Sequence, residues 1–431
     1  MHSADRKAGG DGTGGAGEPE RPIYEANSGL RLQVAVVGDI FADVVASGVD
    51  HLPKWGTDTA CPQPIGVQAG GGSLNTAVHL KALLGETSEV ALHSVQVDDD
   101  FGRIIARRLS DAGVRSCGPT FSAGDGPGGA GTAVCVVISG PHDRAFISHY
   151  GAAGQFAPAH IDEAHVHATA SHLHLGGYYN LHTMLRPLPA PESLRIGEGS
   201  GAGAGDSGQM TNAVGGLFER ARAAGLTVSL DVAYDATGSW NWNGTAQRAG
   251  LSDVLPHVDV FMPSVDEAKE VFSAYKRSCG AAAESKHQDD TFQDAVTATE
   301  HWQWLIQTVG VALLVITDGA NGARAYFNRL HDKNHSHCPE EVQCLEQCVV
   351  QLDHSEIRDP TGAGDAFNAG FLRGWLAAGA HSGKVGAIKE GLKWGCLLGA
   401  HAVTKVGGCA ECFDEVSLRR FAEQHAYDMT R

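Results

Sequence analysis

The run Asp359-Pro-Thr-Gly-Ala-Gly-Asp-Ala-Phe-Asn368 constrains this chain more than any other stretch. Beyond it Phe367, Phe371 and Trp375 recur every four residues with Leu372 and Leu376 beside them, so a helix starts close to Asp365. The glycines Gly362 and Gly364 then sit just ahead of a helix N-terminus, where unpaired backbone N–H groups and the helix dipole favour an anion. A carboxylate in that spot, Asp365, is an odd choice for a plain anion site. It suits a general base beside a phosphoryl group, and it equally suits a helix N-cap with the glycines serving a tight turn.

Composition narrows the partners. The 431 residues leave room for one large α/β domain with insertions or for two to three small domains. With 32 basic against 50 acidic residues the net charge is −18, which argues against nucleic acid or an anionic membrane as partner. No apolar run approaches the roughly 18 residues that span a bilayer, and Met1 to Leu30 lacks the apolar core of a secretory signal, so a cytoplasmic protein is expected. The ten cysteines are scattered, which suits reduced thiols better than a disulfide framework.

The central run resembles the C-terminal signature of the ribokinase, or phosphofructokinase-B, family of carbohydrate and nucleoside kinases. The resemblance implies that Asp365 deprotonates the acceptor hydroxyl and that the amides of Gly362, Ala363 and Gly364 hold the charge on the transferred phosphoryl group. A second stretch, Gln68-Ala-Gly-Gly-Gly-Ser-Leu-Asn-Thr-Ala, resembles the family's N-terminal Gly-Gly signature. It implies that Gly70, Gly71 and Asn75 hold the acceptor, although three consecutive glycines leave the register open by one. Asp43, after the strand-like Leu32 to Val37 and Gly38-Asp39, reads by itself as a turn or cap residue, or as a ligand group at a strand's carboxyl end. The resemblance makes it the aspartate that binds sugar hydroxyls.

Further along, Pro263-Ser-Val-Asp-Glu267 is similar to a family motif, Asn-x-x-Glu, whose glutamate acts through water on the magnesium bound to ATP. Glu267 matches, and Ser264 stands where the family has asparagine. Leu313 to Thr317 runs into Asp318-Gly319-Ala-Asn-Gly322, which resembles the turn beneath the ATP phosphates and ribose and makes Thr317, Gly319 and Gly322 cofactor-binding candidates. The apolar helical pattern Lys393 to Val403 would flank the adenine. Relatives bind a monovalent cation near here, and by position the candidate ligands are Asp359, Thr361, Ala402 and Gly407, with potassium the candidate ion.

Several other patterns carry a weaker signal. Gly12-Thr-Gly-Gly-Ala-Gly has dinucleotide spacing but neither strand nor helix around it. The acidic Asp98-Asp-Asp reads as a metal site or as a loop with a helix cap. His172 and His174 read as zinc ligands or as sheet-face residues, and the His/Cys cluster from His331 to Cys348 as zinc ligands or a polar insertion. Cys409-Ala-Glu-Cys412 reads as a pair of loop thiols. Gly379-Ala-His-Ser-Gly-Lys384-Val falls one residue short of a Walker motif and lacks its final hydroxyl.

Alternating strands and helices with ligand residues at strand ends specify an α/β fold, a doubly wound, mostly parallel sheet flanked by helices. The resemblance adds a small β-sheet lid built from segments near 44–70 and 131–150. Residues 1–29 read as a disordered glycine-rich tail and 30–431 as the kinase domain, with insertions near 187–210, 273–298 and 331–348. The expected function is transfer of the γ-phosphoryl group of Mg-ATP to a hydroxyl of a ribose-like or related sugar, with homodimerisation through the lid. The alternatives are a nucleoside kinase of the same family and a catalytically degenerate ligand-binding regulator.

Overall fold

The strand Gln33–Gly38 sends Val34 and Val36 into one buried cluster and Ala35 and Val37 into another, so both of its faces need cover. A computed structural model describes residues 31–140, 144–188, 211–245, 250–280, 302–328, 342–379 and 385–429, and it places that strand inside a nine-stranded sheet. From one edge the order is Val342–Gln347, Ala323–Asn328, Leu313–Thr317, Val260–Phe261, Thr227–Leu230, His172–Gly176, Gln33–Gly38, Glu89–His93 and Arg115–Cys117. The first two run antiparallel at their edge and the other seven are mutually parallel. From Gln33–Gly38 the chain first builds toward Arg115–Cys117, then returns to lay His172–Gly176 on the opposite side. The switch point lies between Gln33–Gly38 and His172–Gly176, and ligand crevices of open α/β sheets form at the carboxyl ends there.

One face of the sheet is covered by the helices Gly72–Leu84, Ala363–Ala377 and Val385–Ala402. The last two press backbone to backbone because small residues meet large ones across the contact. A β-carbon on Gly370 would fall 2.4 Å from the Trp394 carbonyl oxygen, and one on Gly395 would fall 2.7 Å from the Phe367 ring. Phe367, Phe371 and Trp375 stack along the first of them with centroids 6.2 and 6.3 Å apart, the apolar stripe read from the sequence. On the other face lie Ala213–Ala223 and Val265–Ser278. His172 and His174 are sheet-face residues, bonded to Thr227 and Ser229, and burial holds His174 neutral with a pKa of about 3.

A second sheet of four strands, in the order Gly66–Gly70, Phe41–Ser47, Val134–Ser139 and Arg144–His149, stands over the carboxyl end of the first. Its inner face packs Phe41, Val45, Ala133, Cys135 and Val137 with Ala153. This is the small sheet expected from the resemblance, and its last two strands pair antiparallel.

Some boundaries differ from the reading above. The signature helix begins at Ala363, two residues before Asp365, because Gly362 with φ +76° supplies the left-handed turn that starts it. The helix Val265–Ser278 continues past Ser273, and Val342–Gln347 is a sheet strand within the segment assigned to an insertion. Residues 1–29, and the parts of the three insertions at 189–210, 281–298 and 331–341, lie outside the described residues. Among the described residues no group of His, Cys, Asp or Glu is arranged to hold a metal ion directly. Asp99 is a helix cap, its carboxylate accepting from Gly102 N, and Cys409 and Cys412 are free thiols. No described helix is long and apolar enough to cross a membrane.

Candidate active site

At the switch point a cleft of about 750 Å³ opens between the two sheets. Five carboxylates, Asp39, Asp43, Asp231, Glu267 and Asp365, face it against a single cation among its lining residues, Arg144. Such a concentration of like charge, with Asp39 and Asp43 buried and the other three partly so, is unfavourable by itself. It points to a site that works with bound cations or with acidic side chains held protonated.

Asp365 lies in the first turn of Ala363–Ala377 and does not cap it, since no side chain caps that helix at Gly362. Its carboxylate instead receives the amide N–H of Asn75, Nδ2 to Oδ2 at 2.8 Å, and Thr76 Oγ1 donates to its backbone carbonyl at 3.2 Å. The N-cap alternative thus does not describe where this side chain goes. Burial, followed by the charges of Asp231, Asp39 and Asp43, raises its pKa well above the usual carboxylate range, while the Asn75 hydrogen bond opposes the shift. Gly362 and Gly364 line the cleft, whereas the Ala363 amide turns back to the Pro360 carbonyl at 3.3 Å. Gly362 also has no room for a side chain, because a β-carbon there would sit 2.4 Å from the Gly408 α-carbon.

Asp43 lies within the lid strand Phe41–Ser47, opposite Gln68 and Cys135, and not at the carboxyl end of Gln33–Gly38 as read from the sequence. The residue at that strand end is Asp39. Asp43 is buried with no hydrogen-bond partner among the described residues, and burial with the charges of Asp39 and Asp359 lifts its pKa to about 7. Gly70 makes room for it, since a β-carbon at 70 would fall 1.9 Å from Asp43 Oδ2. Gly71 and Gly72 line the cleft, and a β-carbon at Gly72 would lie 3.2 Å from Asp365 Oδ1.

At the other end of the cleft Ser264, Glu267 and Thr317 line the wall. Ser264 and Glu267 form a capping box on Val265–Ser278: Ser264 N donates to Glu267 Oε2 at 2.8 Å and Glu267 N to Ser264 Oγ at 3.3 Å. Ser264 is therefore the helix cap, with its hydroxyl proton still available to donate. Burial raises the pKa of Glu267, and burial and then the Glu267 charge lift Asp231 to about 7. Gly319 and Gly322 sit in the turn beyond Thr317, outside the lining.

Of the candidate cation ligands, Asp359 is wholly buried and accepts from Thr361 N at 3.0 Å and Gly407 N at 2.9 Å. Ala402 stands beside Val403, whose carbonyl receives the Asp359 amide, and its own carbonyl accepts from Lys405 N. The Thr361 hydroxyl is buried without a partner. An oxygen of that kind fits a cation.

Four residues of the site went unassigned in the sequence. Asp39 accepts from Ser73 N at 3.0 Å and Asn180 Nδ2 at 2.8 Å, so it seats the start of the helix bearing Asn75. Asp231 accepts from Asn368 Nδ2 at 2.7 Å. Asp39 and Asp231 each follow a buried strand directly, a signal the strand-end rule could have used. Asn180 and Asn368 carry no such signal.

The comparisons with known proteins agree with this architecture. Residues 211–415 match the family model described as pfkB family carbohydrate kinase. Similar solved structures include a candidate ribokinase II of E. coli in complex with ATP and Mg²⁺ (TM-score 0.60, 19% identity, 91% of this chain and 100% of that one). Ribokinase of Arabidopsis thaliana complexed with ribose and ATP gives 0.57 at 17% identity over 91% and 99%, and adenosine kinase of Sinorhizobium meliloti gives the same four figures. At these identities the likeness is one of fold. Residues 211–415 thus match the pfkB family of carbohydrate kinases, and the chain carries a ribokinase-like fold.

Proposed function

We propose that this protein is a phosphotransferase that moves the γ-phosphoryl group of ATP to a hydroxyl of a ribose-like or related sugar. The observation that carries the reading is the meeting of Asp365, at the start of a glycine-led helix, with Asp43 of the lid and Asn75 of the helix Gly72–Leu84 in one cleft. The acceptor lies under the lid, its hydroxyls bonded by Asp43, while Asp365 takes the proton of the attacking hydroxyl. The amides of Gly362 and Gly364 and the helix dipole meet the charge on the phosphoryl oxygens. The two facing carboxylates of Glu267 and Asp231 fit a divalent ion held through water, and magnesium there would neutralise phosphate charge. Asp359, Thr361, Ala402 and Gly407 are the ligand set for a monovalent cation, whose occupancy would order the turn at Gly362.

The outer face of the lid presents Val67 and Ile147, 44% and 66% exposed, with Val44 and Val136 between them in one cross-strand row. A second copy of the chain is the proposed cover. Sedimentation should give a dimer that Ile147→Arg converts to monomer, and a monomeric parent would remove this part.

The test of the reading is ADP release from ATP with ribose, fructose and adenosine as acceptors. Turnover of a sugar supports it, and turnover of adenosine alone replaces it by the nucleoside reading. Ligand-induced stabilisation with no turnover would replace it by a degenerate binding protein.

A further inference from the structure

Asn75 is 3% exposed; its carboxamide is bonded through the nitrogen, and its oxygen Oδ1 is buried without a partner among the described residues. Its Nδ2 donates to Asp365 Oδ2 at 2.8 Å, and the amide group lies so close to Gly408 that a β-carbon there would fall 2.4 Å from Nδ2 and 2.9 Å from Oδ1. The orientation follows from charge, because turning the amide over would set its carbonyl oxygen against the carboxylate. Thr76, the next residue of the same helix, bonds the Asp365 carbonyl, so one helical turn fixes both the backbone and the side chain of Asp365. The two carboxylate oxygens are thereby made unlike. Oδ2 is occupied, while Oδ1 faces Gly72, where the absence of a side chain keeps the approach open.

We propose that Asn75 is the positioning residue of the base, locking Oδ2 of Asp365 so that Oδ1 is the oxygen that receives the acceptor's proton. Gly408 is the buttress that keeps the carboxamide in place. The inference rests on the kinase reading above. In the step, the acceptor O–H proton passes to Asp365 Oδ1 and the acceptor oxygen forms the new bond to the γ-phosphorus. The bond from that phosphorus to the β,γ-bridging oxygen breaks, and ADP leaves with the electron pair. Asn75 changes no bond; it fixes the carboxylate plane and favours the ionised form by donating to it.

The test compares the parent with Asn75→Ala, Asn75→Asp, Gly408→Ala and Asp365→Asn, using ATP with ribose, fructose or adenosine and, as a further readout, slow hydrolysis of ATP by water. A positioning role predicts a fall in kcat at saturating acceptor on the order of 10²-fold for Asn75→Ala, as expected when a reacting group loses its alignment. The acid limb of the kcat profile should move to higher pH in Asn75→Ala, which loses the donor, and further in Asn75→Asp, which adds a like charge. Gly408→Ala, which displaces the amide without removing it, should change kcat in the same direction and covers the case of a misfolded Asn75 variant. Asn75 variants that raise only the acceptor KM, with kcat and the acid limb unchanged while Asp365→Asn is inactive, would overturn the positioning role alone. A parent that transfers phosphoryl to none of these acceptors, or an Asp365→Asn variant as fast as the parent, would overturn the underlying reading with it.

Discussion

Replacing Asp43 by asparagine keeps the shape of the side chain and removes its charge, and the apoprotein should become more stable at neutral pH while losing its acceptor. The carboxyl is buried beside Asp39 and Asp359, and folding lifts its pKa from 3.8 to about 7. The folded state therefore binds the proton more tightly than the unfolded state. The favourable effect is complete below the unfolded value and is lost as pH rises through about 7, so above that pH the ionised group opposes folding. The shift corresponds to about 4 kcal/mol, and relaxation of the lid around the charge reduces this to roughly 2–4 kcal/mol. Urea denaturation at pH 5, 6.5 and 8 should show Asp43→Asn above the parent at pH 8, with the gap smaller by roughly 2–3 kcal/mol at pH 5. In the same variant the acceptor KM should rise by the loss of a charged hydrogen bond, on the order of 1.5–3 kcal/mol. A variant no more stable than the parent at pH 8, or a gap that does not depend on pH, would refute the account of Asp43 as an unpaired buried carboxylate.

Asp365→Asn should lower turnover by roughly 10²- to 10⁴-fold with ATP affinity near that of the parent, because the amide keeps the hydrogen-bonding shape but cannot take a proton; rates within threefold of the parent would end the assignment. Potassium should activate relative to sodium or tetramethylammonium at equal ionic strength through the buried Thr361 hydroxyl and Asp359, and Thr361→Val should abolish the difference while leaving a basal rate. Equal rates in all three salts would remove the cation from the mechanism.

The glycine-led helix was legible because its signals are local: the turn residues precede the aromatic repeat, and both survive folding unchanged. The lid was legible through the resemblance, on segments near 44–70 and 131–150 that hold most of its four strands. Placing Asp43 failed for a different reason. Two strands, Gln33–Gly38 and Phe41–Ser47, are separated by only Asp39 and Ile40, so the apolar pattern runs on through what are parts of two sheets. Ser264 shows the converse: read as a substitution within a ligand motif, it is a cap that uses its oxygen locally, and capping geometry is visible only once the helix start is known. Asn180, Asn368 and Gly408 act through partners more than a hundred residues away or across a loop, and single-chain periodicity carries no trace of such pairs.

The electrostatics of the cleft make a last, opposed pair of outcomes. Asp231 is, after burial, the largest contributor to the raised pKa of Asp365, whereas the Asn75 hydrogen bond acts against it. Removing the negative charge with Asp231→Asn should therefore lower the pKa of Asp365 and move the acid limb of the rate profile to lower pH, the reverse of the shift expected on removing the Asn75 donor. The substitution also takes away one of the two carboxylates facing the ATP end, so the magnesium concentration for half-maximal rate should rise even as the base becomes easier to ionise. The asparagine at 231 can still accept from Asn368 through its carbonyl oxygen, while the bond that Ala233 N now makes to Asp231 Oδ1 is lost with the charge. Profiles measured at saturating magnesium separate the two effects. An acid limb that moves upward, or one that stays in place, would mean that Asp231 does not act on Asp365 through its charge and that the cluster is held together for folding alone.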